Sequence, residues 1–182
     1  MPSDRDIGKK EIERDALAYF LQAYERVHAE PLSLIGDAES PDFVCARPSG
    51  IVVGVELARL TRGRVELSLD RALYGRDELD PYVVQSLVLE RVADKEQSRR
   101  DQYQHVVKEC VLVLQLEEAA FENVQHALEQ LRDALPPHGF SEIWVVDYSG
   151  LDAFGNVELY GLHPSGCFGL HERANRGAKP YG

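Results

Sequence analysis

Ser40-Pro41-Asp42-Phe43-Val44-Cys45-Ala46-Arg47-Pro48-Ser49-Gly50-Ile51-Val52-Val53-Gly54-Val55-Glu56-Leu57 reads as two adjacent strands joined by a turn. Phe43 to Cys45 form the first, short strand, and Arg47-Pro48-Ser49-Gly50 has turn composition. Ile51 to Leu57 is β-branched and almost wholly apolar, the pattern of a buried strand, and Glu56 stands out within it. Adjacent strands lie about 4.8 Å apart, so carboxylates of Asp42 and Glu56 that face each other across this turn can hold one ion together. Carboxylate oxygens suit Mg²⁺ or Mn²⁺, hard cations that prefer oxygen. A lone carboxylate in so apolar a strand would be costly without a partner. The same residues also allow a plainer reading: Asp after Pro is a common turn residue, and a strand glutamate is often solvated or salt-bridged.

Working outward, Lys9 to Ala29 carries Ile12, Ala16, Tyr19, Phe20, Ala23, Tyr24 and Val27 at helical spacing, and Pro31 stops the pattern. A short apolar stretch, Leu32 to Ile35, precedes the turn-rich Gly36 to Ser40. Thr61 to Pro81 is charged and weakly periodic, a surface excursion. Tyr82 to Val107 predicts a second long helix marked by Val84, Leu87, Val88, Val92 and Tyr103. Cys110 to Leu116 predicts a strand. Phe121 to Leu135 predicts an amphipathic helix that stops at Pro136-Pro137. Ile143 to Val146 and Val157 to Leu162 predict two more strands. The order implies an α/β sandwich with a mixed central sheet, one domain over residues 1–162, and a Gly-rich, locally basic tail over 163–182.

Composition narrows the classes. A chain of 182 residues can bury roughly 70% of its unfolded surface without a structural metal or disulfide. Cys45, Cys110 and Cys167 are odd in number and widely spaced, so free thiols in a reducing cytoplasm are expected rather than zinc or a disulfide framework. No apolar run suits a membrane helix, and Met1 to Lys10 has no apolar core of a secretory signal. A cytoplasmic protein without a membrane partner is the expectation. The formal net charge of -11 opposes a broad, non-specific grip on nucleic acid but leaves room for a local basic groove. There is no GxxxxGK[ST] loop, no GxGxxG after a strand, no HxxxH pair and no GxSxG elbow.

Pro41-Asp42, the hydrophobic strand ending in Glu56, and the following helix with its basic residues and Tyr103 together resemble the PD-(D/E)xK nuclease superfamily, which includes many restriction and repair nucleases. The resemblance covers approximately Lys9 to Leu116. It implies a restriction-endonuclease-like αβββαβ core, here with a C-terminal αβ extension, and a Mg²⁺- or Mn²⁺-dependent phosphodiesterase acting on nucleic acid, DNA foremost. It also implies that Asp42 and Glu56 hold the ion together with the Leu57 backbone carbonyl. The family's lysine, two positions after the acid, is Ala58 in this chain. Some members supply that lysine from the next helix, where Lys95, Arg99 and Tyr103 form one row with Arg91 a turn earlier. Lys95 is then the residue expected to serve the attacking water, with Arg99 on phosphate. Arg99-xxx-Tyr103 resembles the Gln-xxx-Tyr of RecB-like members, with Arg in place of Gln. A solvated helix face paired with Glu96 and Asp101 is the alternative. Family members often carry a metal-reaching glutamate on the first helix, for which Glu13 is the candidate and Glu11 the second.

Arg59, Arg62 and Arg64 follow the Glu56 strand and are candidates for backbone contact. His163, His171, Arg173, Arg176 and Lys179 make the last segment basic. Restriction-type nucleases often act as homodimers, although no apolar stripe identifies an interface. Ala58 and the acidic charge also admit a nuclease-like binding or dimerisation module without catalysis. An acidic mimic of DNA would need its acids on one surface, whereas they are spread along the chain.

Overall fold

Hydrophobic alternation sorts the side chains of the central strands onto two faces, and each face is covered by helix. The computed structural model describes residues 4–62, 79–103, 106–149 and 156–175. Its elements are α1 (Asp4–Val27), β1 (Ser33–Asp37), β2 (Phe43–Ala46), β3 (Val52–Leu60), α2 (Pro81–Ser98), β4 (Glu109–Leu116), α3 (Phe121–Glu129), β5 (Glu142–Asp147), β6 (Asn156–His163) and β7 (His171–Asn175). Helix α2 runs on into a π-helical turn, Arg99–Tyr103. The strands form one seven-stranded sheet in sequential order. β1, β2 and β3 are an antiparallel meander, β3, β4 and β5 are parallel, and β6 and β7 return antiparallel. The chain is therefore α/β with a mixed sheet.

On one face Val53, Val55 and Leu57 of β3 join Val111, Val113, Trp144 and Val146, and α1 covers them with Leu17, Phe20, Ala23 and Tyr24. The spacing of those four residues puts them on one side of the helix. On the other face Ala58 and Leu60 join Leu112, Leu114, Leu116, Ile143 and Val145 beneath α2 and α3. Helix α2 presents Val84, Val88, Val92 and Glu96, one residue per turn, to that core. Its start is fixed by Asp80, whose side chain accepts from Tyr82 N at 2.9 Å, with Pro81 in the first turn. α3 has no such residue at its own start; Asp147 at the end of β5 caps it, accepting from Phe121 N at 2.6 Å.

Several boundaries differ from the sequence reading. α1 starts earlier, at Asp4, and α3 stops at Glu129. Beyond it, tighter turns (Leu131 N to Leu128 O, 3.0 Å; Ala134 N to Leu131 O, 3.1 Å) still bury Leu131. The segment after His163, expected as tail, contains β7, which pairs with β6 from Asn156↔Asn175 to Tyr160↔His171. Its sequence His-Glu-Arg-Ala-Asn lacks apolar alternation because β7 is an edge strand whose charges are met locally: His171 and Arg173 both reach Glu158. The surface excursion is outside the described residues over 63–78, which include Arg64; Arg176 and Lys179 lie outside them as well.

A second polar feature anchors the opposite ends of the strands. Arg47, at the end of β2, is 6% exposed and donates to Glu142 Oε1 (2.6 Å), Glu109 Oε2 (2.9 Å), the Tyr24 hydroxyl (3.0 Å) and Glu30 O (3.1 Å). Glu142 also accepts from the Tyr24 hydroxyl at 3.0 Å and Trp144 Nε1 at 2.7 Å. This network ties β2, β4, β5 and α1 together, and every member is satisfied. Replacing Arg47 strands buried Glu142 without its cation. Arg47→Ala is expected to lower unfolding free energy by about 3–5 kcal/mol, read from the urea midpoint at unchanged m-value.

Candidate metal centre

The register of β2 on β3 builds the site. Phe43 pairs with Val55, so the next residues outward, Asp42 and Glu56, stand opposite each other. Alternation gives them the α2 face, together with Gly54. A Cβ at Gly54 would lie 2.6 Å from Pro41 Cγ and 3.0 Å from Val107 Cγ2. Glycine is therefore what lets the Pro41 ring lie against β3 and brings Asp42 to its partner. The Ser40–Pro41 peptide is cis. Ser40 Oγ, at 2.7 Å from Gln102 Oε1, links the same loop to the π-helical turn. Gly50, with φ of 84°, closes the hairpin, where only glycine adopts that backbone without strain.

Each carboxylate is held by a backbone N–H of the opposing segment. Asp42 Oδ2 accepts from Leu57 N at 2.8 Å, and Glu56 Oε2 accepts from Asp42 N at 3.3 Å. Glu56 Oε1 is ion-paired with Lys95 Nζ from α2. Burial pushes the Glu56 carboxyl above its ordinary value, and the charge of Asp42 adds to this, against the pull of Lys95. Burial likewise pushes Asp42 up, opposed by the Leu57 N–H and Lys95. Two desolvated acids thus share one ammonium.

From α1, Lys10 Nζ donates to Ala38 O at 3.1 Å and Asp42 O at 3.5 Å, and lies over the Phe43 ring. Glu13 is ion-paired with Lys9 and Lys10 at 3.4 Å each, and its charge is felt at Asp42. Among the described residues no group of three or more His, Cys, Asp or Glu side chains is gathered to hold a metal ion. The donor chemistry nevertheless fits a hard divalent ion: two desolvated carboxylates on neighbouring strands. Asp42, Glu56 and the Leu57 carbonyl are the groups that would hold it, with Glu13 nearby.

The basic residues expected on nucleic acid have protein partners. Arg99 donates to Glu96 through Nε (2.8 Å) and Nη2 (3.0 Å), and Arg100 Nε reaches the same carboxylate at 2.7 Å. Gly139 N, at 2.9 Å, completes this cradle. Burial opposes the charge on Glu96, but the Arg99, Gly139 and Arg100 hydrogen bonds outweigh it and bring the carboxyl down to about 2. Arg59 pairs with Glu117 at 3.3 Å, and Arg62 N donates to Glu118 Oε2 at 3.4 Å. Tyr103 is 1% exposed and packs in the core, so its ring offers no surface to a nucleic acid. Of the row along α2, Lys95 is ion-paired with Glu56, Arg99 is paired with Glu96, and Tyr103 is buried in the core. Lys10 escaped the sequence reading; its position one turn before Glu13 was the available signal. Comparison with protein-family models, curated proteins and solved structures gave no match to this chain.

The acid pair sets a pH dependence of definite sign. A carboxyl raised by folding stabilises the fold below its ordinary value, and that contribution is lost as pH rises through the folded value. Glu96 has the opposite sign: its contribution is present above 4.5 and lost as pH falls toward about 2. Stability curves of wild type and Glu56→Gln are therefore expected to diverge above pH 4.5, the ordinary value for Glu56, with the variant losing less as pH rises. Urea titrations at a series of pH values check this; parallel curves above 4.5 would contradict it.

Proposed function

We propose that this chain is a metal-dependent phosphodiesterase of the PD-(D/E)xK nuclease kind, acting on DNA or RNA. The observation that carries the reading is the convergence of Asp42 and Glu56, with Asp42 accepting from Leu57 N–H, Glu56 accepting from Asp42 N–H, and Lys95 on Glu56. The order α1-β1-β2-β3-α2-β4, with β4 parallel to β3, supports a restriction-endonuclease-like core, to which α3 and β5–β7 would be the extension. Ala58 is consistent with it, because Lys95 supplies an ammonium to the acid pair from the following helix.

In this reading Asp42, Glu56 and the Leu57 carbonyl would hold the metal. A bound Mg²⁺ or Mn²⁺ lowers the pKa of water and stabilises charge on the scissile phosphate. Lys95 orients the attacking water beside Glu56. The Gly54–Pro41 contact and the Leu57 N–H keep Asp42 aimed, so the acids need no rearrangement to meet a ligand. Lys10 holds the Ala38–Asp42 loop by its carbonyls.

A second reading, a nuclease-like binding or dimerisation module without catalysis, has its own observation: Arg99 and Arg59 are engaged by Glu96 and Glu117. The two are separated by incubating the chain with single- and double-stranded DNA and RNA in Mn²⁺. Catalysis predicts cleavage that falls at least about 100-fold in Glu56→Gln and in Lys95→Ala. It also predicts a melting temperature raised by Mn²⁺ in wild type and unmoved in Glu56→Gln. Retained nucleic-acid binding with no cleavage of any substrate, and no metal-dependent melting shift, would establish the second reading.

A further inference from the structure

Lys95 stands where the acid pair needs positive charge. Its Nζ is on Glu56 Oε1, the oxygen left after Oε2 has taken the Asp42 N–H, and its charge also reaches Asp42. The Lys95 side chain is 26% exposed and the Glu56 side chain 7%, so the flexible stem of the lysine has room to move while the carboxylate does not. The other nearby ammonium, Lys10, is bound to the carbonyls of Ala38 and Asp42 and to Glu13, not to either carboxylate of the pair. Lys95 is thus the cation ion-paired with the acid pair, and the charge of Lys10 reaches Asp42 only at a distance.

Resting on the nuclease reading above, we infer that Lys95 is the resident counter-ion of the Asp42–Glu56 pair and competes with the divalent ion for Glu56 Oε1. Two desolvated carboxylates facing each other without a cation repel and resist ionisation. Lys95 removes that penalty in the metal-free protein, so the pair can stay buried and aligned. An arriving ion takes Oε1 only as the ammonium moves off it, with its protons. The displaced ammonium remains tethered beside the pair, which is where a water-orienting group is required. One side chain thereby weakens metal binding and serves the chemistry, so removing it drives the two readouts in opposite directions.

Calorimetric titration of the full chain with Mn²⁺ alone, alongside melting curves, tests this. Lys95→Met is expected to bind Mn²⁺ about tenfold more tightly than wild type or better, and to show the larger melting shift, while cleavage falls. Lys95→Gln should do the same and provides a second chain if the methionine variant does not fold without metal. Lys95→Arg keeps the charge and should bind no more tightly than wild type. Arg26→Met, which removes a positive charge at the far end of α1 where Arg26 meets Glu172, should leave the affinity close to wild type. Equal or weaker binding by both Lys95→Met and Lys95→Gln overturns the inference, and so does equal tightening in Arg26→Met, which would mark a general charge effect. Glu56→Gln separates this failure from that of the underlying reading. Mn²⁺ binding lost in Glu56→Gln but untouched by Lys95 variants overturns the competition alone. Absent binding, or binding indifferent to Glu56, overturns the nuclease reading and the competition with it.

Discussion

The meeting of Asp42 with β3 is the constraint on which the site depends. A carboxylate drawn against a strand interior must have its oxygens satisfied, and Asp42 meets this with the Leu57 N–H while its own N–H satisfies Glu56. The exchange resembles one more rung of the β2–β3 ladder, made with side chains where the backbone of β2 has already turned away. Gly54 makes the approach sterically possible, since any side chain there would meet Pro41. Pro41, Asp42, Gly54 and Glu56 are therefore one structural unit, and the two acids cannot be moved apart without unpairing a backbone N–H.

Charge around this unit is divided among separate cations. Lys95 serves Glu56, Lys10 serves the carbonyls of the Asp42 loop, and Arg99 with Arg100 serves Glu96. Arg47 does the same for Glu142 and Glu109 across the opposite face. A chain with net charge -11 gives buried Glu56, Glu96 and Glu142 each a specific basic partner, while buried Asp147 is satisfied by backbone N–H groups. The consequence for function is that few of the arginines near the site are at liberty to meet phosphate, which is why the metal and Lys95 carry so much of the proposed chemistry.

Much of the fold was legible because it follows local periodicity. The β2–β3 hairpin was readable from Pro48-Ser49-Gly50 between apolar runs, and α1, α2, β4 and β5 from their apolar spacing. Glu56 was legible as a buried acid because its neighbours in the strand are Val, Gly and Leu. The part that escaped depends on contacts between distant segments. β7 is polar and is a strand only because β6 offers it an edge. The row Lys95-Arg99-Tyr103 divides because Arg99 turns to Glu96, three residues back on its own helix, and Tyr103, at the end of the π-helical turn, is buried in the core. Lys10 and the Gly54–Pro41 contact depend on tertiary proximity that no short pattern encodes.

The central claim, that Asp42 and Glu56 form a divalent-metal site served by Lys95, is tested most directly by anomalous scattering from crystals of the full chain grown in Mn²⁺. The account predicts an anomalous peak between the Asp42 and Glu56 carboxylates, within reach of the Leu57 carbonyl, with the Lys95 ammonium moved off Glu56 Oε1. No peak there at saturating Mn²⁺, with Lys95 still paired to Glu56, would contradict it.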